Sequence, residues 1–141
     1  MKPRFILLLL TTFTVLFITG VLYAIPVYSF KYFAIEIAAF FPPRYTLLQI
    51  HGGATFVMLL ILGNLFNFHV SDKISSAKNR RTGIVLLACM LVLIITGYLL
   101  YYGNLNLRSI SGISHTIIGI LATLLLVYHS IKHSTLRKPK K

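Results

Sequence analysis

The sequence predicts an all-α fold, a four-helix transmembrane bundle with both termini on the cytoplasmic side. Of its 141 residues, 57% are hydrophobic and only 11% are charged, which is more apolar surface than a soluble domain of this size can bury. Four uncharged runs are each about 20 residues long, the length that crosses the hydrocarbon core of a bilayer. None alternates with a period of two, so the pattern favours helices over a transmembrane barrel.

The four runs predict helices within a single membrane domain covering residues 1–141, at residues 5–25, 46–68, 82–102 and 110–128. The first run follows a basic start and resembles a signal peptide. It is longer than an ordinary signal-peptide core, and Leu22 fits the small-residue cleavage rule poorly. We therefore interpret it as the first transmembrane helix.

The connection between the first two predicted helices, VYSFKYFAIEIAAFFPPR, has an apolar core that is too short to span a bilayer. It ends at Pro42-Pro43, and we predict a short interfacial helix within it. This segment serves either as a spacer lying on the bilayer or as a docking segment for a partner. The connection between the second and third helices, VSDKISSAKNRR, is a polar linker.

Positive charge is distributed unequally between the two sides of the predicted membrane domain, whose formal net charge is +12. Eleven Lys and Arg residues fall at the N-terminus, in the second connection and in the tail at 132–141, whereas the other side has Lys31, Arg44 and Arg108. This asymmetry follows the positive-inside rule and predicts cytoplasmic termini. It argues against nucleic acid as a partner, while the basic tail is suited to contact anionic lipid.

Several kinds of chemistry are excluded or disfavoured by the composition. Cys89 is the one cysteine, so dithiol redox chemistry within the chain is excluded. The chain has two acidic residues, Glu36 and Asp72. Its internal methionines, Met58 and Met90, lie in the middle of predicted helices. Zinc and copper sites usually add Cys, Met or carboxylate ligands to histidine, so these metals fit poorly. Hydrolytic catalysis lacks an acid–base pair.

The histidines follow a repeated spacing. His51 and His69 are separated by the same number of positions as His115 and His133, so the second pair repeats the first at a constant offset. A further histidine, His129, lies one helical turn before His133. The tripeptide Ile-Thr-Gly also occurs in both the first and the third run, at 18–20 and 95–97. Together these repeats indicate a doubled helical hairpin.

The sequence separation within each histidine pair corresponds to five helical turns. Both members of a pair therefore lie on one helix face, about 27 Å apart along the helix. Because the second and fourth helices run in the same direction, His51 is level with His115, and His69 is level with either His133 or His129. Two facing imidazoles in a bundle are the ligand set of six-coordinate haem iron. We therefore predict two b haems, an outer one on His51 and His115 and an inner one on His69 with His133 or His129.

Glycines accompany the predicted outer site. Gly20 and Gly97 lie at about the level of the outer histidines, and Gly119 is one turn after His115. A missing side chain allows a flat macrocycle to approach the backbone. The alternative is that these small residues serve plain helix packing. The inner site has only Gly83, on the third predicted helix.

With "HGGAT…NFH" on its second helix and "HTIIGILATLLLVYH" on its fourth, the chain resembles the small dihaem b-type cytochromes of bacterial respiratory membranes. It departs from their pattern at Leu65, where a partner four helical turns after His51 would lie, and one haem is therefore the alternative to two. The resemblance implies an electron-transfer subunit in the bacterial cytoplasmic membrane, partnered by other subunits and by the quinone pool. It also implies haem propionates paired with nearby basic residues, namely Arg44, Arg108, Lys73, Arg80 and Arg81.

Two other functions are compatible with the same residues. The chain could be a haem-free four-helix scaffold subunit with interfacial histidines, or an enzyme that oxidises quinol without a partner. In the leading interpretation it is an electron-transfer subunit and not a stand-alone catalyst.

Overall fold

The computed structural model describes residues 3–66 and 80–135, and every regular element in them is helical. These residues form four α-helices and one short 3-10 helix, in the order α1 (Pro3–Phe33), the 3-10 turn (Ala38–Phe40), α2 (Arg44–Leu65), α3 (Arg80–Tyr102) and α4 (Leu105–Thr135). All four α-helices are long and apolar enough to cross a membrane. The predicted all-α class with four transmembrane helices is confirmed.

The chain divides into two compact units. In the first unit α1 packs against α2, and we call this pair the N-terminal hairpin. In the second unit α3 packs against α4, and we call this pair the C-terminal hairpin. The assembly of both into a single membrane domain over 1–141 stays a prediction.

Helix α1 extends beyond its predicted end at residue 25 and continues through Pro26 to Phe33. The next residue, Ala34, terminates the helix: it has a left-handed φ of 55°, and its N–H donates to the Phe30 carbonyl at 3.1 Å. A left-handed residue after the last turn is a common helix terminator because it turns the next N–H groups back onto the terminal carbonyls. The first part of the predicted interfacial segment, up to Phe33, therefore belongs to α1.

The rest of the first connection contains the 3-10 turn at Ala38–Phe40, which is closed by a hydrogen bond from Phe41 N–H to the Ala38 carbonyl at 3.2 Å. The two prolines that follow prevent this turn from continuing as a helix, because a proline has no N–H to donate. Pro43 is extended, with φ −54° and ψ 133°, and its carbonyl accepts the first bond of α2 from Leu47 N–H.

The connection between α3 and α4 consists of Gly103 and Asn104 alone, so α4 begins at Leu105 and not at the predicted residue 110. Asn104 caps α4, because its Oδ1 accepts a hydrogen bond from Leu107 N–H at 2.9 Å. Gly103 makes the turn, and its N–H donates to the Leu99 carbonyl at 2.8 Å. A Cβ at Gly103 would lie 2.5 Å from that carbonyl oxygen, so only glycine fits.

Each hairpin leaves most of its apolar side chains exposed, as expected of helices that face lipid or partner helices. The buried apolar residues are few among those described, namely Leu47, Met58, Ile61, Met90 and Ala122. Polar residues are also buried, and two of them, Thr19 and Thr96, contact histidines across their hairpins.

Candidate functional site

In the N-terminal hairpin, the His51 ring of α2 lies against α1. His51 Nδ1 is 2.9 Å from Thr19 Oγ1, which is hydrogen-bond distance. The adjacent Gly20 faces the edge of the same ring, because a Cβ built on it would lie 3.5 Å from His51 Cε1. We call this arrangement, a Thr-Gly dipeptide on one helix against a histidine on the other, the Thr-Gly-His module.

The C-terminal hairpin contains the same module near the turn that joins its helices. Thr96 Oγ1 lies 2.9 Å from His115 Nδ1, and a Cβ at Gly97 would lie 3.6 Å from His115 Cε1. The two Thr–His distances are identical, and the two Gly–ring distances are nearly so. The repeat inferred from the sequence is therefore also a repeat of side-chain geometry within each hairpin.

A third module lies at the other end of the C-terminal hairpin. Thr82 Oγ1 is 3.0 Å from His129 Nδ1, and a Cβ at Gly83 would lie 3.8 Å from His129 Cε1. Thr82 precedes Thr96 by the same number of positions as His129 follows His115, which is close to four helical turns. Because α3 and α4 are antiparallel, these equal separations place the third module about 21 Å along the C-terminal hairpin from the module of Thr96 and His115.

The N-terminal hairpin cannot repeat the module at that spacing. The residue at the corresponding position before Thr19 is Phe5, and the residue at the corresponding position after His51 is Leu65. His69, the predicted inner ligand of this half, lies outside the described residues.

The threonines of two modules also bond to their own helix. Thr19 Oγ1 donates to the Val15 carbonyl at 2.7 Å, and Thr96 Oγ1 donates to the Val92 carbonyl at 2.8 Å. Such bonds to the carbonyl four residues earlier satisfy a hydroxyl inside an apolar helix. In these two modules they also orient the oxygen toward the histidine on the facing helix.

The module glycines are not required by the histidines themselves. The contacts that a built Cβ would make with the ring edges, from 3.5 Å to 3.8 Å, are ordinary van der Waals distances, so alanine would fit beside each imidazole. Glycine inside a helix costs about 1 kcal/mol relative to alanine. The missing methyl leaves a small space next to the ring, which suits a flat ligand approaching the imidazole edge.

The structure separates Gly119 from the other predicted haem-packing glycines. A Cβ on Gly119 would lie 3.9 Å from Leu93 Cδ2 on α3, so this glycine contacts a leucine where Gly20 and Gly97 contact histidine rings. Its surroundings are those of helix packing within the hairpin.

The predicted propionate partners are placed only in part. Arg44 begins α2 and Arg108 lies in the first turn of α4, and each precedes a module histidine by the same spacing. At that spacing the arginine and the histidine are two helical turns, about 10 Å, apart and lie on nearly the same helix face. Arg108 Nη2 also donates to the Tyr101 carbonyl at 2.6 Å. Arg81 directly precedes Thr82 at the start of α3.

Some predicted site residues lie outside the described part of the chain. Lys73 is not described, and neither are the side chains of Arg80 and His133, although both of these residues belong to helices. The choice between His129 and His133 is therefore informed by His129 alone.

The three module threonines were not among the residues predicted from the sequence. The signal was present, because Thr-Gly dipeptides occur at 19–20, 82–83 and 96–97, each in a helix that packs against a histidine-bearing helix. The first and third dipeptides belong to the repeated Ile-Thr-Gly tripeptide, but the repeat alone assigns no role to their threonines. The middle dipeptide lies outside that repeat, and the prediction there concerned Gly83 alone.

Among the described residues no group of three or more His, Cys, Asp or Glu side chains could hold a metal ion. A haem makes no such demand, since the porphyrin supplies four nitrogens and the protein adds only axial ligands. Cys89 is half-buried in α3. Comparison with known protein families, curated proteins and solved structures returned no match for this chain.

Proposed function

We propose that this protein is a membrane-embedded b-type cytochrome that holds two haems through histidine pairs and passes electrons across or within the bilayer. The observation that carries the proposal is the threefold occurrence of the Thr-Gly-His module in the apolar helices that the structure describes. Histidines inside membrane helices are rare and functional by default. Metal-bound histidines typically have a partner on the ring nitrogen that does not bind the metal.

In the proposed outer site His51 and His115 are the axial ligands, and their pairing rests on their matched positions in the sequence. In the proposed inner site the ligands are His69 and His129. We favour His129 over His133 because His129 belongs to a module with the same geometry as that of His115.

The haem supplies one-electron redox chemistry when it is bound, and the chain supplies ligation, orientation and exclusion of water. Arg44 and Arg108 share one spacing from the outer ligands and would hold the outer propionates. Arg80 and Arg81 would do the same for the inner haem. Guanidinium groups suit this role because they bind carboxylates through two parallel hydrogen bonds.

The four candidate spans make the chain a multi-pass membrane protein. We propose the bacterial cytoplasmic membrane, with both termini cytoplasmic, because of the eleven-to-three distribution of basic residues. Tyrosine pairs at the ends of α1 and α3 suit the opposite interface, with ring centroids 5.9 Å apart for Tyr28–Tyr32 and 4.7 Å apart for Tyr98–Tyr102. Reporter fusions at both termini should report cytoplasmic exposure, and a periplasmic signal from either would contradict this topology.

We further propose that the protein works as a subunit of a larger redox complex and exchanges electrons with the quinone pool. Only 11–17% of the residues in the apolar window of each span are buried within the chain, so wide helix faces are available to lipid and partner helices. The same exposure favours the second candidate function, a haem-free scaffold subunit.

An optical spectrum decides between the two candidates. We expect the protein purified from haem-replete cells to show the sharp reduced α band of low-spin b haem, with two haems per chain. The variants His51→Ala and His115→Ala should each lose the outer haem, whereas Asn64→Ala, which removes an exposed polar side chain from α2, should keep both. A folded, haem-replete preparation without any such band would refute the cytochrome proposal and leave the scaffold.

A further inference from the structure

We infer that Thr19 and Thr96 are positioning residues that fix the tautomer of their histidines, with the proton on Nδ1 and Nε2 as the ligating nitrogen. The assignment of Nε2 to iron rests on the proposed function. The tautomer itself follows from hydrogen bonding within each hairpin and is tested without haem.

The hydroxyl proton decides the direction of the Thr–His bond. A threonine hydroxyl has one hydrogen to donate, and a backbone carbonyl can only accept. At 2.7 Å the Val15 carbonyl receives the proton of Thr19, so Thr19 Oγ1 must accept from His51 Nδ1–H across the 2.9 Å contact. Thr96 has the same two contacts, with the Val92 carbonyl and His115 Nδ1.

A neutral imidazole with its proton on Nδ1 carries its coordinating lone pair on Nε2. When the threonine oxygen accepts the Nδ1–H hydrogen bond, the imidazole ring also becomes a stronger electron donor. A stronger donor favours the ferric over the ferrous state of a bound iron.

Other threonines make the same hydrogen bond to the carbonyl four residues earlier without belonging to a module, so this bond alone does not position a histidine. Thr14 and Thr123 each donate to the carbonyl four residues earlier at 2.8 Å, in helices α1 and α4. They provide matched controls, because Thr→Val removes the same hydroxyl and backbone bond at a site outside the modules.

The tautomer is measured first in the haem-free protein, by ¹⁵N NMR of labelled histidine side chains. We expect His51 and His115 to carry the proton on Nδ1, and Thr19→Val to shift His51 toward the Nε2–H tautomer. Thr19→Ser should retain the wild-type tautomer, and Thr14→Val should change nothing at His51. An Nε2–H tautomer at His51 and His115 in the wild type would overturn the inference, whatever the protein binds.

The haem-loaded protein supplies the second readout. Loss of a partner on a ligating histidine typically weakens metal binding about 10–100-fold. We expect Thr96→Val to weaken ferric haem binding about tenfold with ferrous binding unchanged, which raises the one-electron potential by ~59 mV. Thr96→Ser should restore the wild-type potential, and Thr123→Val should leave it unchanged.

The two failures are distinguishable. If the wild type binds haem and Thr96→Val behaves like Thr123→Val, the positioning role is wrong and the cytochrome proposal stands. If the wild type binds no haem, the cytochrome proposal fails, and the NMR measurement alone decides the tautomer.

Discussion

Thr82 Oγ1 and His129 Nδ1 lie 3.0 Å apart, joining the start of α3 to the far end of α4. The contact reproduces the one between Thr96 and His115 at the other end of the same hairpin. Histidine spacing alone left His129 and His133 as equal alternatives. Under the proposed function, a second module with matching geometry favours His129 as the inner ligand of this hairpin.

Replacing His129 by alanine should therefore lower the haem content from two per chain to one. His133→Ala is the matched change in the same helix and should leave both haems in place. Haem is counted as the pyridine haemochrome against protein concentration. Loss of haem from His133→Ala together with full retention by His129→Ala would reverse the assignment.

Gly97→Ala should separate ligand binding from helix packing. A Cβ would meet His115 Cε1 at 3.6 Å without a clash, so the haem-free protein should be unchanged in stability or gain up to about 1 kcal/mol. Haem retention should fall, because the methyl fills the space beside the ring.

Unfolding in mixed micelles and haem titration measure these two effects of Gly97→Ala. Gly63→Ala is the control, since a Cβ there meets no described atom within 4 Å. Equal haem affinity in Gly97→Ala and Gly63→Ala would mean that Gly97 only serves packing.

Gly103→Ala should destabilise the C-terminal hairpin by about 1–3 kcal/mol, the usual cost of overpacking. The added Cβ would lie 2.5 Å from the Leu99 carbonyl oxygen and 3.1 Å from Leu107 Cβ, and the first neighbour is backbone that cannot rotate away. The free energy of unfolding is the measurement.

The neighbouring Asn104 gives a graded comparison for Gly103→Ala. Asn104→Ala should cost about 1 kcal/mol through loss of the α4 cap, and Asn104→Ser should retain most of the stability. A Gly103→Ala protein as stable as the wild type would show that the turn can shift to accept a side chain.

Ala34→Gly should stabilise the N-terminal hairpin by about 1 kcal/mol, because glycine adopts a left-handed conformation without the strain that a Cβ causes. Ala34 holds such a conformation, with a φ of 55°. Ala24→Gly in the interior of α1 should have the opposite sign, because glycine disfavours a regular helix. Unfolding of both variants under the same conditions tests the pair, and a loss of stability in Ala34→Gly would contradict the prediction.

The presence of four membrane helices was predictable from the sequence because uncharged runs of about 20 residues have few alternatives. The ends of these helices were not predictable from the sequence, because local hydrogen bonds determine where each helix begins and ends. The Asn104 cap starts α4 earlier than the apolar run does, and the left-handed Ala34 ends α1 later. Hydropathy contains neither signal.

The sequence indicated the histidines of the candidate site but not its threonines. A spacing of about four or five helical turns places imidazoles on one helix face whatever surrounds them. A threonine in an apolar helix, by contrast, is usually explained by its own backbone bond, as at Thr14 and Thr123. Only the packed hairpin shows which threonines also meet a histidine.

Phe5 and Leu65 occupy the places where a fourth module would have formed in the N-terminal hairpin. Under the proposed function the outer haem therefore has two threonine-supported ligands, whereas at this spacing the inner haem has one. Because such support favours ferric iron, the outer haem is expected to be the stronger reductant of the two. Under the proposed function, Phe5 and Leu65 would thus give the chain an electrochemical polarity, in which electrons would pass downhill from the outer haem to the inner one.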